Sequence, residues 1–210
     1  MRIDHVCYAA GPEGMKATAL RLADLLHVTA CQGGVHPRFG TRNMVLPLAD
    51  GRYLEVVEVL DHPASDKAPF GQAVRARSAQ GGGWMAWVVA VDDLSDVEER
   101  LGREAVPGNR HTPEGVELTW HQIGIKSLIE DPQLPFFVRW DSMEHHPSKL
   151  GGDGAKLVGL NIAGDPVAIH QWLGVTDVSF ESDIDVEFDR SEAHALESVV
   201  FATVGGTVTI

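Results

Sequence analysis

Two side chains could do chemistry together: a histidine at position 5 and a glutamate at position 55. His5 lies in Met1-Arg-Ile-Asp-His-Val-Cys-Tyr8, which reads as a strand. A period of two puts Ile3, His5 and Cys7 on one face and Asp4, Val6 and Tyr8 on the other. Glu55 lies in a second such stretch, residues 52–59, where Tyr53, Glu55, Val57 and Val59 share a face. Both stretches are rich in apolar residues, which predicts that both belong to a packed sheet. An ionised carboxylate is unfavourable to bury alone, so an inward Glu55 must meet a cation or a metal, or stay protonated with a raised pKa. His5 as imidazolium would make an acid/base couple with it. The plain alternatives are a core histidine bonded to a backbone carbonyl and a glutamate in water at a strand end.

Other side chains are weaker candidates. Asn43 shares a strand face with Thr41 and Val45, from which its amide could orient a substrate carbonyl. His36 and Arg38 fall in a polar loop, where Arg38 could hold an anionic group or be a plain surface residue. Trp84, Trp87, Trp120 and Trp140 come from later strands. Indoles pack in cores by default, and Trp84 and Trp140 are the two assigned here to a ligand pocket. His145 and His146 follow Asp141 and Glu144, a loop that could hold a metal ion or none.

The elements that must carry these groups come in a repeated order. Residues 1–8 form a strand, 15–27 a helix with Met15, Ala19, Leu22 and Leu26 at helical spacing, and 41–48 a strand. Asp50-Gly51 turns the chain into the Glu55 strand. Residues 31–40 read as loop, and Pro69 opens a short helix in the connection to the next unit. The pattern restarts with an apolar strand at 84–91 and a helix capped by Asp92 or Ser95, then short strands at 116–120, 127–130 and 135–140. It restarts again with a strand at 156–163 and a helix bounded by Asp165, Pro166 and Gly174. An antiparallel strand with one acidic face follows at 181–189, then a hairpin of 196–203 and 207–210 through Gly205-Gly206. The expected units are 1–62, a connection at 63–83, 84–148, and a partial third unit at 149–210. The fold class is α+β. Each unit has one helix for one sheet face, so the other face must be covered by a neighbour or enclose a cavity.

Composition narrows the function. A net charge of -13 over 210 residues disfavours nucleic-acid and anionic-membrane partners. No apolar run is long enough to span a bilayer. The strand pattern begins at once, which leaves no room for a signal peptide. Cys7 and Cys31 have no CxxC spacing and read as free thiols of a cytoplasmic protein. No Walker A, GxGxxG or GxSxG pattern occurs, and Gly81-Gly82-Gly83 is not followed by Lys-Ser/Thr, which argues against phosphoryl and hydride transfer.

Several stretches together resemble the vicinal oxygen chelate superfamily, and its glyoxalase-like group in particular. They are Ile3-Asp4-His5, residues 36–43 (His-Pro-Arg-Phe-Gly-Thr-Arg-Asn), Arg52-Tyr-Leu-Glu55, residues 135–141 (Pro-Phe-Phe-Val-Arg-Trp-Asp) and His146-Pro147. The resemblance implies tandem βαβββ modules curled around a cavity that binds a small oxygen-bearing metabolite. It also implies one divalent metal (zinc, nickel, iron or manganese) held by a His, Gln or Glu on the first strand and a Glu on a later strand of each module. His5 and Glu55 fall on those positions in the first module. In the second they fall near Ala86, with Trp84 as a shifted alternative, and near Val138, which cannot ligate. The implied site is half lost, so a metal-free protein is nearly as strong an expectation. The implied function is a lyase or isomerase with Glu55 as base, His5 as electrostatic partner or ligand and Asn43 orienting the substrate. The rival is a non-catalytic drug-sequestering protein of the bleomycin-resistance type. A homodimer is left open.

Overall fold

The computed structural model describes residues 1–151, 154–176, 183–190 and 193–210. The first unit runs β1 (Arg2–Ala9), α1 (Met15–Leu26), β2 (Cys31–His36), β3 (Thr41–Pro47) and β4 (Tyr53–Val59). Two connecting helices follow, α2 (Pro63–Lys67) and α3 (Pro69–Ala79). The second unit is β5 (Gly83–Ala90), α4 (Ser95–Leu101), β6 (Val106–His111), β7 (Glu117–Ile123), α5 (Ser127–Glu130) and β8 (Phe136–Trp140). The third is β9 (Ala155–Ala163), α6 (Pro166–Leu173), β10 (Asp185–Asp189), β11 (Ala195–Thr203) and β12 (Gly206–Thr209).

The first eight strands close into one barrel in the order β1-β4-β3-β2-β6-β7-β8-β5. Each βαβββ module lays its first strand parallel to its last, β1 with β4 and β5 with β8. The modules meet at two unequal seams. β1 and β5 run antiparallel from Arg2↔Ala90 to Ala9↔Gly83, whereas β2 and β6 share the single pair Val35↔His111. At that short seam Gly34 has φ +143°, and a β-carbon on it would lie 2.0 Å from the His111 carbonyl oxygen. Only glycine lets the two backbones meet there.

The β1–β5 register fixes which residues of the modules correspond. Cys7 pairs with Ala86 and His5 with Val88, so a two-fold relation equates His5 with Ala86 and Cys7 with Val88. The pair Cys7↔Glu55 then matches Val88↔Phe136. The counterpart of Glu55 is therefore Phe136, two residues before the expected Val138.

Two apolar cores hold the layers together. Inside the barrel, Val57, Val88 and Val138 pack with Phe70 and Val74 of α3. Outside it, Val6, Trp87 and Val89 meet Leu22 and Leu26 of α1, together with Leu160, Ile162, Val199 and Phe201 of the third sheet. That sheet has the order β10-β9-β11-β12 and covers the barrel's outer face within the same chain. α6 follows its sequence signals. The Asp165 carboxylate accepts the Val167 N–H at 2.9 Å, and Gly174 ends the helix at φ 72°.

Several expectations need correction. β2 is a strand where residues 31–40 read as loop, and β6 is a strand in a stretch to which the sequence assigns no element; Gln32-Gly33-Gly34 and Pro107-Gly108 are poor strand sequences, and pairing with β3 and β7 outweighs that. Residues 127–130 form α5 rather than a strand, four residues being too few to show a period. α4 is capped by neither Asp92 nor Ser95. The Asp93 carboxylate accepts the Ser95 N–H at 3.0 Å, and Glu98 accepts from Ala105 instead of closing a capping box. The acidic strand pairs parallel to β9, not antiparallel; residues 181 and 182 of that expectation lie outside the described residues. In β1, a bulge between Ile3 and His5 turns Ile3 to the outer core, so it does not share a face with His5 and Cys7.

Candidate functional site

β1 and β4 aim His5, Cys7, Tyr53 and Glu55 into the barrel because these residues alternate with Val6, Leu54 and Val56 of the outer core. β3 adds Asn43 and β2 adds His36. The second module contributes Arg110, Trp120, Gln122, Phe136, Val138 and Trp140. These side chains leave an internal cavity of about 30 Å³. Such a volume holds a water or two.

Glu55 is the centre of the polar groups. Its Oε1 accepts from the Asn43 amide at 2.7 Å and its Oε2 from the Cys7 thiol at 3.2 Å. His36 Nε2 lies 3.8 Å from Oε1, and the other ring nitrogen, Nδ1, meets the Thr41 hydroxyl at 2.9 Å. Burial by itself raises the Glu55 pKa. His36 and His5 pull it down, as do the hydrogen bonds from Asn43 and Cys7, and the balance leaves the carboxyl below its ordinary value. Burial also lowers His36 to about 4, against the pull of Glu55. His36 is thus neutral at pH 7, and its charge reaches Glu55 only in acid. Near neutrality the carboxylate is held by Asn43 and Cys7. The same burial, with Glu55 alongside, pushes the Cys7 thiol well above its usual pKa, so it stays a thiol and donates.

His5 is fixed from behind. The Asp4 carboxylate, fully buried, accepts from His5 Nδ1 at 3.0 Å and from the Trp140 indole at 3.1 Å. It also receives the Arg2 guanidinium and, at 3.4 Å, His146 Nε2. His146 Nδ1 accepts the Ser148 N–H, which sets Nε2 as the protonated nitrogen. Burial alone would raise Asp4. The bonds and charges of His146 and His5 outweigh it and hold this carboxyl far below the usual range. With Nδ1 turned to Asp4, His5 has Nε2 left for the cavity, an arrangement that fixes both tautomer and ring orientation.

Aromatic rings enclose these polar groups in an unbroken circuit. His5 stacks on Tyr53 at 4.3 Å, and Tyr53 meets His146 at 5.5 Å. His146 meets Trp140 at 5.0 Å, Trp140 meets Trp120 at 5.3 Å, and Trp120 meets Phe39 at 6.3 Å. Phe39 packs on Phe70 at 5.8 Å, Phe70 on Phe136 at 6.2 Å, and Phe136 returns to His5 at 6.2 Å. This wall excludes bulk water and strengthens every electrostatic contact inside it.

The structure brings together His5, Glu55, Asn43, His36 and Trp140. It places Trp84 elsewhere. That indole lies outside the barrel against Tyr8 and Phe201, with its N–H on the Ile210 carbonyl at 2.6 Å, because β5 turns residue 84 to the third sheet. Arg38 is exposed in an external groove of about 770 Å³ that shares Phe39, Phe70 and Gln122 with the cavity. His145 and His146 do not act as a pair: His145 is exposed, and His146 is committed to Asp4. Cys7, Asp4, Tyr53, Arg110 and Gln122 were missed. Cys7 carried a signal, since its spacing from His5 puts it on the same face. Arg110 carried none, lying in a strand disguised by Pro107-Gly108.

The family trait of a divalent metal can be tested on the donors. Among the described residues, His5, Cys7 and Glu55 bring three ligand atoms within 4.8 Å of one another. With Asp4 behind His5, this nitrogen, sulfur and oxygen set suits a borderline ion such as zinc or ferrous iron, provided the metal displaces the Cys7 proton. The second module adds nothing, because Ala86, Val88 and Phe136 hold the corresponding places. The donors fit a three-ligand site supplied by one module.

The whole-chain fold recurs in one of the solved structures it resembles. No curated protein matches the chain. A hypothetical protein from Staphylococcus aureus superposes with a TM-score of 0.73 at 14% identity, over 96% of this chain and 91% of its own. Methylmalonyl-CoA epimerase from Mycobacterium tuberculosis aligns at a TM-score of 0.43 and 13% identity, over 66% of this chain and 86% of its own. A Streptomyces coelicolor methylmalonyl-CoA epimerase in complex with 2-nitronate-propionyl-CoA aligns at 0.42 and 17%, over 68% and 99%. Among the described residues, no helix is long and apolar enough to cross a membrane. Residues 3–176 match the family described as a glyoxalase-like domain, and the chain belongs to that family, within the vicinal oxygen chelate superfamily.

Proposed function

We propose that this protein is an enzyme acting on a small oxygen-bearing metabolite, abstracting a proton next to a carbonyl in a lyase or isomerase step. The observation that carries the reading is Glu55, a buried carboxylate held ionised by an amide and a thiol, with no Lys or Arg among its ion-pair partners in the described residues. With two neutral donors and no lysine or arginine paired to it, the ionised carboxylate keeps a lone pair for a substrate proton. Asn43 and Cys7 fix the direction of attack. His5, oriented by Asp4, offers Nε2 to the oxygen on which charge develops and can exchange a proton with it. The aromatic wall keeps water from quenching the carbanion. A divalent metal bound by His5, Cys7 and Glu55 would supply a Lewis acid for that oxygen. The two free thiols support a reducing compartment such as the cytoplasm. Sequestration of a drug-sized ligand, the rival reading, finds no support in a cavity of about 30 Å³ lined by ionisable groups.

The test is solvent exchange. Small carbonyl compounds are incubated with the protein in D2O, with and without added zinc or ferrous iron, and loss of the C–H signal adjacent to the carbonyl is followed by NMR. Catalysed exchange that disappears in Glu55→Gln is expected. Exchange at the parent rate in that variant would remove Glu55 as the base.

A further inference from the structure

We infer that Arg110 anchors a carboxylate of the ligand and that this ligand carries a hydroxyl or enol donor beside the carboxylate, so the site takes short hydroxy acids. The inference rests on the cavity being the ligand site, as proposed above, but not on proton abstraction by Glu55.

Arg110 comes from β6 at the short seam and is only 3% exposed. Its Nε has no hydrogen-bond partner, and no ion pair joins its guanidinium to an acid among the described residues. Burial disfavours its charge, and Glu55, near enough to favour it, is not bonded to it. A guanidinium is always charged, and a lone buried charge is strongly unfavourable unless something pairs with it. A second orphan borders the same space. Asn43 gives its amide nitrogen to Glu55, which leaves Asn43 Oδ1 buried without a donor. Gly33 shows how close the two lie: a β-carbon there would be 2.0 Å from Asn43 Oδ1 and 3.1 Å from Arg110 Nη1. One orphan is a planar cation and the other an acceptor. A carboxylate matches the first, in the forked geometry that guanidinium groups prefer, and an adjacent O–H matches the second. Ligands of this class satisfy both at once, whereas a neutral diol leaves the cation unpaired. The cavity of about 30 Å³ has room for only a water or two, so its lining must give way even for the shortest acids of this class. Such an acid would lie with its carbon skeleton toward Glu55, through the Asn43 amide that both contact. Arg110 would then also offset negative charge accumulating as a proton leaves.

The experiment titrates the purified protein with glycolate and L-lactate, and with the uncharged counterparts ethylene glycol and 1,2-propanediol. Ionic strength is fixed, and binding is read by calorimetry and by the fluorescence of Trp120 and Trp140. The acids should bind at least about 30-fold more tightly than the diols, the worth of a charge-assisted pair. Arg110→Met should erase that difference, and Arg110→Lys should fall between. Acetate, which lacks the hydroxyl, should bind more weakly than glycolate, and Asn43→Ala should narrow that gap. Equal affinity for acids and diols, or acid binding unmoved in Arg110→Met, overturns the inference. If Arg110→Met fails to fold, undiminished acid binding by Arg110→Lys overturns it equally. Glu55→Gln separates the two readings. Acid binding that survives there while exchange is lost supports both. Exchange that depends on Glu55 with no role for Arg110 removes the anchor and leaves the base.

Discussion

The two barrel modules share strand order and register but not chemistry. The first supplies His5, Cys7 and Glu55 to the interior, and the second fills the corresponding places with Ala86, Val88 and Phe136. One correspondence stays polar: Asn43 opposite Val57 matches Gln122 opposite Val138. The second module therefore does not lack a role. It provides the wall of Trp120, Phe136 and Trp140, and from β6 the lone cation Arg110. A duplicated scaffold permits this division of labour because strand pairing depends on backbone groups, while inward side chains are free to diverge.

The largest way to break this comparison is Glu55→Gln. It should lower the exchange rate by about 10³-fold, within the range for a positioned base, with the fold intact by circular dichroism. The acid limb of the parent's rate profile should fall below the ordinary glutamate value of 4.5, because the folded carboxyl is depressed. Turning Phe136, its counterpart, to Leu should instead change substrate affinity more than turnover.

Asp4→Asn comes next. Asp4 bridges the modules, holding His5 of the first, Trp140 of the second and His146 in the segment that follows β8. Losing that charge leaves several buried donors mispaired and should destabilise the protein by about 3 kcal/mol, measured by urea denaturation. Folded-state depression of Asp4 and Glu55 means that their stabilisation is complete above their unfolded values and fails as the pH drops below about 4.

His36 acts in a different window. Its folded pKa is about 4 against 6.5 in the unfolded chain, so between those values the unfolded state takes up a proton that the folded state refuses. Stability should fall as pH drops through this interval, by up to about 3 kcal/mol. His36→Asn should flatten the dependence there while leaving the loss below pH 4. A variant with an unchanged slope would show that His36 is not buried neutral.

The smallest effect separates the inner and outer faces of β5 and β8. Trp84→Phe removes one hydrogen bond to the Ile210 carbonyl and should cost about 1 kcal/mol of stability without changing ligand-induced fluorescence. Trp140→Phe should lose most of that fluorescence response.

How much of this was readable beforehand depended on the kind of element. Clean alternation in β1 and β4 announced His5 and Glu55 on inward faces, and Asp165, Pro166 and Gly174 marked both ends of α6. β2 and β6 were hidden because glycine and proline at a seam look like loop. Each pairs with the strand that follows it, β2 with β3 and β6 with β7, but the Val35↔His111 seam joins strands distant in sequence, and local propensity carries no trace of it.

The amino-acid sequence by itself determined a repeated strand–helix–strand plan and inward faces for His5 and Glu55, because periodicity and caps are local properties, and the resemblance of particular stretches gave the family. Tertiary structure decided the rest: that Asp4 stands behind His5, that Cys7 and Asn43 hold Glu55, that Trp84 faces outward and that Arg110 enters the cavity with no acid paired to it among the described residues. Those facts arise from barrel closure and from a bulge in β1, which set the distances between residues far apart in the chain. No pattern of neighbouring residues encodes such distances.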